Sequence, residues 1–437
     1  MRLIEEIPST SWKESGSQGK MPQLLNNLPE TVMRRPQSSS LHLRLGIVCD
    51  FVEENWPSMD LIGDMLVSHL GNGSPRGIEA ERIRPAMSRR FSTVAAVYDR
   101  RVEKAAFNAD RLFSRFWHYP RFLRRCRESF DIFHVVDHSY AQLVLELPPG
   151  QTLVTCHDLD TFRCLLEPDS EPRSVLFQAM VRRTLRGLRK AALVVCPSFA
   201  TRDALLTHTL VAEDRLRVVP NGVHPSCSPE ADPLADAEVT RWLGERSAGD
   251  ADLLHVGSTI PRKRIDVLLR VFAEVKQRFP GTRLIRAGGP FTPEQESMAD
   301  DLRLRDSIVV LPQLDRRFLA AVYRRAALVL LTSEREGFGL PVLEAMACAT
   351  PVVASDLPSV REVGGNSAVY CRISRIPEWA DAICGLLHER RDDFSRWQTR
   401  RAEAVTRAAL FSWNKYTLEM VKLYREVAGG IPGGLAS

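Results

Sequence analysis

Across 437 residues the chain has no apolar run approaching the roughly 20 residues that a membrane-spanning helix requires, so no transmembrane segment is expected. It also lacks the apolar core of a signal peptide, because its start, MRLIEEIPSTSW, carries acids there. The nine cysteines are odd in number and contain no Cys-x-x-Cys pair, so a reducing cytoplasm is the expected compartment. Charge of neither sign dominates: 59 Lys and Arg against 54 acids leave a net +5. No nucleic-acid module is recognisable, and a basic patch alone is only an electrostatic footprint, so nucleic acid is not an expected partner.

What is there fits a globular enzyme. Hydrophobic residues make up 44% and charged residues 26%, which suits neither a disordered nor a membrane protein. The length exceeds what one core usually supports, so two or more domains are expected. Residues 1–40, with STSWKESGSQGK and RRPQSSS, read as a flexible N-terminal extension outside the fold. A first series of strands follows: LHLRLGIVCD, DIFHVVD, TLVTCHD, ALVVCPS and LRVVPNG, with helical segments such as PRSVLFQAMVRRTLRGLRK among them. After the polar stretch SPEADPLADAE comes a second: ADLLHVGS, TRLIRAGG, SIVVLPQ, ALVLLTS and PVVAS. Strands alternating with helices predict doubly wound parallel sheets. The expected division is a domain over 41–228, a second over 229–408, an amphipathic helix over 409–427 and a tail over 428–437.

The richest segment is SEREGFGLPVLEAMACATPVVASDLPSVREVGG, residues 333–365, where Glu336 and Glu344 flank a Gly-Phe-Gly-Leu-Pro turn. ALVLLTS before it and PVVAS after it read as buried strands, and LPVLEAMAC between them as a short helix. Pro341 suits a first helical turn, where a missing N–H costs nothing, and the free amides near Gly339 and Leu340 can face a ligand beyond the strand. An anionic or hydroxyl-rich ligand is favoured at such an end.

This segment resembles the Glu-x7-Glu signature of family 4 glycosyltransferases, retaining enzymes of GT-B fold with two facing Rossmann-like domains. The likeness spans roughly residues 41–427 and is weakest in the first half. It implies that Glu336 contacts donor-sugar hydroxyls, that the Phe338, Gly339 and Leu340 amides hold sugar and phosphate, and that Glu344 takes the ribose hydroxyls. It also implies that the last helix, FSWNKYTLEMVKLYREV, crosses back onto the first domain. In HVGSTIPRKRIDVLLRVF, Gly257 closes a strand and Lys263 is expected to open a helix with Leu268, Leu269 and Phe272 on its buried side. A lysine there sets a point charge beside phosphates. The family often has an arginine where this chain has Ser258, and Arg262 is the nearest substitute.

His157 and Asp158 end the strand TLVTCHD, at the sheet edge where α/β folds bind ligands. The resemblance gives His157 the place behind the reaction centre, with Asp158 nearby. Asp158-Leu159-Asp160 also spells a DxD triplet, a manganese pattern in a different glycosyltransferase fold; no further His or acid is spaced to complete a metal site, and none is expected. The acceptor side is less legible. The loop DFVEENWPSMDLIGDML lacks the paired glycines of many relatives, Trp56 could stack on a sugar or plug the surface, and His138 and Tyr140 could line a cleft or simply pack. Basic and aromatic residues concentrate in 82–127, a candidate for peripheral contact with an anionic membrane. The alternative is that Leu112, Phe113 and Phe116 pack inward beneath solvated arginines, with Pro120 interrupting the helix.

The expected function is a cytoplasmic, metal-independent retaining transferase moving a hexose from a nucleotide-diphosphate sugar to a saccharide or lipid-linked saccharide, in surface polysaccharide assembly. No cofactor beyond that co-substrate is expected. A GT-B epimerase, a phosphorylase or a non-catalytic binding protein on the same fold are the alternatives.

Overall fold

Short runs of Val, Leu and Ile, bounded by polar turns, form two parallel sheets in the computed structural model, which describes residues 1–3, 43–71, 77–95, 100–148, 150–247 and 249–429. The chain order of strands is β1 (Arg2–Leu3), β2 (Leu43–Val48), β3 (Ile78–Ile83), β4 (Ile132–Val135), β5 (Thr152–Thr155), β6 (Leu193–Cys196) and β7 (Leu216–Val218), then β8 (Ala251–Val256), β9 (Thr282–Ala287), β10 (Ile308–Leu311), β11 (Leu328–Leu331), β12 (Val352–Ser355) and β13 (Val369–Cys371). The first sheet runs β3-β2-β4-β5-β6-β7 and the second β1-β10-β9-β8-β11-β12-β13. Central strands such as Ile132–Val135 and Leu328–Leu331 are buried along their whole length, as expected of strands covered on both faces by helices.

The three strands that the sequence patterning missed are all at sheet edges. In β3, IEAERI buries only Ile78, Ala80 and Ile83, so its charged residues hide the apolar pattern. Strand β13 is only Val369–Cys371. The expectation that residues 1–40 stand outside the fold is corrected at the very start: Arg2 and Leu3 pair in parallel with Val309 and Val310 at the edge of the second sheet. Residues 4–40 lie outside the described residues.

Strand order reverses between β2 and β4 in the first sheet and between β8 and β11 in the second. Crevices beyond the carboxyl ends of strands at such reversals are where open α/β sheets take ligands. The loops after β8 and β11 carry Lys263 and Glu336 respectively.

The helix Trp413–Gly429 returns to the first sheet. Trp413, Tyr416, Met420, Tyr424 and Val427 share one buried cluster with Leu45, Ile47, Ile132, Leu153 and Val195. At its centre His134 is buried, with Nδ1 2.8 Å from the Tyr424 hydroxyl and Nε2 2.7 Å from Thr155 Oγ1. Burial lowers its pKa from 6.5 to about 3. The unfolded chain therefore binds a proton at this residue between those values that the folded chain refuses, so its contribution is intact above pH 6.5 and is lost as pH falls. Taking the protein from pH 7 to pH 5 should cost about 2 kcal/mol through His134 alone, and urea midpoints of His134→Gln should show a correspondingly shallower pH dependence. An unchanged dependence would mean that the ring takes up its proton over the same pH range in the folded and unfolded chains.

Among the described residues, no helix is long and apolar enough to cross a membrane. The basic segment folds as the helix Arg100–Phe113, a π turn over Ser114–His118 and the helix Tyr119–Cys126. Pro120 does not interrupt it as expected: the π turn precedes it and places it in the first turn of the next helix, where no N–H is required. Leu112, expected to pack inward, is exposed. Several of the arginines are not free in solvent: Arg82 and Arg84 pair with Asp64 and Asp60, Arg111 and Arg115 with Glu54, and Arg124 with Glu146.

Candidate active site

Gly339, at φ 98°, turns the chain from β11 into the helix Leu340–Ala347, with Pro341 in its first turn. A left-handed conformation of this kind favours glycine. The Phe338 side chain points away from the cleft into the core, edge-on to Phe411 at 5.9 Å, so only its backbone can serve a ligand there. Glu344 is buried and accepts a 2.8 Å hydrogen bond from the Tyr323 hydroxyl. Burial raises its pKa, against the lowering effect of that hydroxyl and of Arg316.

On the neighbouring loop, Lys263 does not open a helix as expected. It ends a 3-10 turn, Pro261–Lys263, and the helix starts at Ile265 after Arg264 in left-handed conformation. This turn aims the ammonium back across the sheet edge to Glu336, 73 residues away in sequence, instead of along the helix axis. Glu336 Oε1 also accepts from Ser333 Oγ at 2.7 Å, and Arg262 lies 3.6 Å from Oε2. Burial pushes the Glu336 pKa up, but Lys263 and Arg262 outweigh it and hold the carboxyl below its ordinary value. The two groups form a charged pair on nearly covered side chains, 9% and 8% exposed, which makes either one alone expensive to keep.

His157 is brought to the same cleft from the first sheet. Its Nε2 lies 2.7 Å from the Val136 carbonyl, so Nε2–H donates there and Nδ1 is left as an acceptor. Burial lowers its pKa, which keeps the ring neutral. His138 is buried beside it: its Nδ1 accepts from the His157 amide at 3.3 Å, and its Nε2 is 3.0 Å from Thr161 Oγ1. Tyr140 belongs to the core, ringed by Phe51 and Tyr119. Trp56 neither plugs the domain nor is enclosed; it is 47% exposed at the start of the helix Pro57–Leu70. Gly257 sits over Lys263, and Ser258 follows it on the rim with partial exposure.

The Asp158-Leu159-Asp160 triplet has an engagement that sequence reasoning did not foresee. Arg262 crosses the cleft to pair with Asp160 at 2.7 Å and Asp158 at 3.6 Å, and Arg335 reaches Asp160 at 3.3 Å. Burial pushes the Asp158 carboxyl up, yet His138 and Arg262 hold it below its usual value. Other residues of the seam were also missed. Ser198 Oγ and Thr201 Oγ1 donate to the Gly337 carbonyl at 2.6 and 3.0 Å, and Glu362 accepts from the Phe199 and Ala200 amides, both at 2.7 Å. The Asn55 and Gln313 carboxamides exchange two hydrogen bonds, at 2.7 and 3.0 Å. Only an Asn at φ 54° carries a local hint, since nothing else in those residues marks a partner more than a hundred positions away.

Two Rossmann-like sheets facing each other, with acidic, basic and amide groups meeting at both carboxyl edges, define a GT-B architecture. The family of glycosyl transferases group 1 matches residues 238–402, and glycosyltransferase family 4 matches residues 70–226. The chain belongs to the group 1 glycosyltransferases of GT-B fold. It is similar to the D-inositol 3-phosphate glycosyltransferase of Mycobacteroides abscessus, 32% identical over 238 residues, 51% of each chain. It is also similar to that of Mycobacterium tuberculosis, 34% identical over 248 residues, 52% of this chain and 49% of the relative. The chain thus spans about half the length of these curated relatives. Among solved structures, Anabaena HepE in complex with UDP and glucose superposes with a TM-score of 0.65 at 16% identity, over 88% of this chain and 100% of that one. Sucrose-phosphate synthase from Thermosynechococcus elongatus gives 0.62 at 18%, over 89% and 100%. At these identities the structural likeness speaks for the fold.

Proposed function

We propose that the protein is a retaining glycosyltransferase that moves a hexose from a nucleotide-diphosphate sugar to a saccharide or lipid-linked saccharide in surface polysaccharide assembly. The observation that carries this reading is the buried Lys263–Glu336 pair beside the amide end of the helix Leu340–Ala347. The two side chains hold each other in place before a donor arrives. On binding, the diphosphate takes Lys263 and the helix amides, while the sugar hydroxyls take Glu336, so each partner exchanges one polar contact for another. Charge that builds on the leaving phosphate then meets groups already oriented, which is the largest source of rate acceleration in such sites. Glu344 holds the ribose hydroxyls, and neutral His157 offers Nδ1 as an acceptor to the transferred sugar. Arg262 stands in for the arginine that Ser258 replaces. A carboxylate nucleophile is not needed, because the family resemblance implies attack and departure on one face with the leaving phosphate taking the acceptor's proton; no metal enters this reading.

The UDP and glucose bound by Anabaena HepE support a nucleotide-sugar donor. Exposed Leu112 and Trp117, with Arg121 over the Trp117 ring, support a membrane-facing role for the basic segment. The test is nucleotide release from UDP-, GDP- and ADP-sugars, with and without saccharide or lipid extract and anionic vesicles. Selective turnover of one donor is expected, reduced at least about 100-fold in Lys263→Ala. Release that requires orthophosphate would instead indicate a phosphorylase, and an altered sugar nucleotide without acceptor an epimerase.

A further inference from the structure

Beneath the donor loop lies a charge that the proposed chemistry does not use. Parallel register sets Arg286 of β9 beside His255 of β8. The Arg286 side chain is fully buried. Its Nη2 donates to the Gly257 carbonyl at 2.9 Å and its Nη1 to the Gly289 carbonyl at 3.1 Å, while its Nε is buried without a partner. The guanidinium also lies 5.2 Å from the centre of the Phe291 ring.

Among the described residues no carboxylate pairs with Arg286, and burial alone lowers its pKa to about 10, so the group stays charged at neutral pH. His255, which could have relieved it by hydrogen bonding, does not: both ring nitrogens are buried without partners. Burial, then the charges of Arg286 and Lys263, keep that ring neutral. The His255 ring and the Lys263 stem both meet Gly257, since a Cβ there would lie 3.4 Å from the ring and 3.5 Å from Lys263 Cε. Gly288 leaves no room either, as its Cβ would come within 2.2 Å of the Gly257 carbonyl oxygen. Lys263 has its counter-charge in Glu336; among the described residues Arg286 has two carbonyl dipoles and the Phe291 ring but no anion. An unpaired cation out of water is costly unless an anion completes it.

We propose that Arg286 is a positioning residue of the donor site, which pins the loop after β8 through the Gly257 carbonyl and supplies the uncompensated positive charge that selects a diphosphate at that loop. The proposal rests on the nucleotide-sugar reading of the site. It adds a second layer to it: Lys263 touches the anion, and Arg286 acts through the loop and through the low dielectric beneath it, where charge is poorly screened.

The test separates charge from bracing. Affinities of UDP, UMP and uridine are measured by calorimetry for wild type, Arg286→Gln and Arg286→Lys, or the guanosine or adenosine set if the donor panel selects that base. Glutamine can still donate to one carbonyl but carries no charge; lysine keeps the charge but cannot bridge both carbonyls. Arg286→Gln is expected to weaken UDP at least tenfold and uridine less than twofold, and Arg286→Lys to hold UDP within about threefold of wild type. Equal weakening of UDP and uridine in either variant would show a brace without any selection for the diphosphate charge and overturn the assignment. Should Arg286→Gln not fold, the lysine variant decides by the same comparison. A wild type that binds none of UDP, GDP and ADP overturns the donor reading and this assignment together, whereas diphosphate binding indifferent to Arg286→Gln overturns this assignment alone.

Discussion

Replacing Gly337 with alanine is expected to lower kcat/KM by about 1,000-fold, roughly 4 kcal/mol of transition-state stabilisation, while leaving each domain folded. A Cβ at this position would lie 1.7 Å from the His157 carbonyl oxygen and 2.8 Å from its carbon. Both obstacles are backbone of the opposite domain, so no side chain can rotate away, and the domains must part by more than an ångström. The displacement falls where it does most harm. Glu336 precedes the glycine, the ligand-facing amides follow it, and His157 carries the clashing carbonyl; a misplacement of about 1 Å in a reacting geometry can cost 100-fold by itself. Loss of the Ser198 and Thr201 bonds to the Gly337 carbonyl would add to it. Turnover combined with small-angle scattering checks the idea, and Gly385→Ala is the control. Gly385 lies in the helix Ile376–Asp392 with nothing within 4 Å of an added Cβ, so alanine there should be neutral or slightly stabilising. Wild-type activity in Gly337→Ala would mean that the closed seam is not the reacting arrangement.

Glu336→Gln should reduce kcat by about 100-fold or more and destabilise the protein by roughly 3 kcal/mol, because it strands the Lys263 ammonium in a nearly dry position. The amide keeps the shape of the carboxylate, so packing does not confuse the result. Removing Lys263 as well, as Lys263→Met, should restore part of the lost stability without restoring activity. That non-additivity is the signature of a direct pair, and its absence from denaturant melts would count against the pairing. The acid limb supplies an independent readout. With its folded pKa held below the ordinary value of 4.5, Glu336 contributes stability that is present above that value and is lost as pH falls through the lower folded one. The glutamine variant should lack that part of the acid sensitivity.

The same two predictions mark where sequence reasoning reached and where it stopped. Two α/β units, their central strands, the Gly-Phe-Gly-Leu-Pro turn and both glutamates were legible, because apolar runs and turn residues record local conformation within a few positions. Three of the four edge strands among the described residues were not: the charged residues of IEAERI face solvent, β13 is only three residues long, and the pairing of Arg2 and Leu3 depends on a strand more than three hundred residues away. Pro120 misled for a related reason, since the π turn before it spares the backbone the hydrogen bond that proline cannot make. By itself the sequence determined the fold class, through strand and helix patterns alternating along the chain, and the family likeness, through its resemblance to a known motif over residues 333–365 with both glutamates in place. Only tertiary structure decided that Lys263 spends its charge on Glu336, that Asp158 and Asp160 grip Arg262 across the cleft, and that no acid among the described residues pairs with Arg286. Charge pairing and burial are properties of neighbours in space, and these neighbours come from separate strands whose contact no local pattern records.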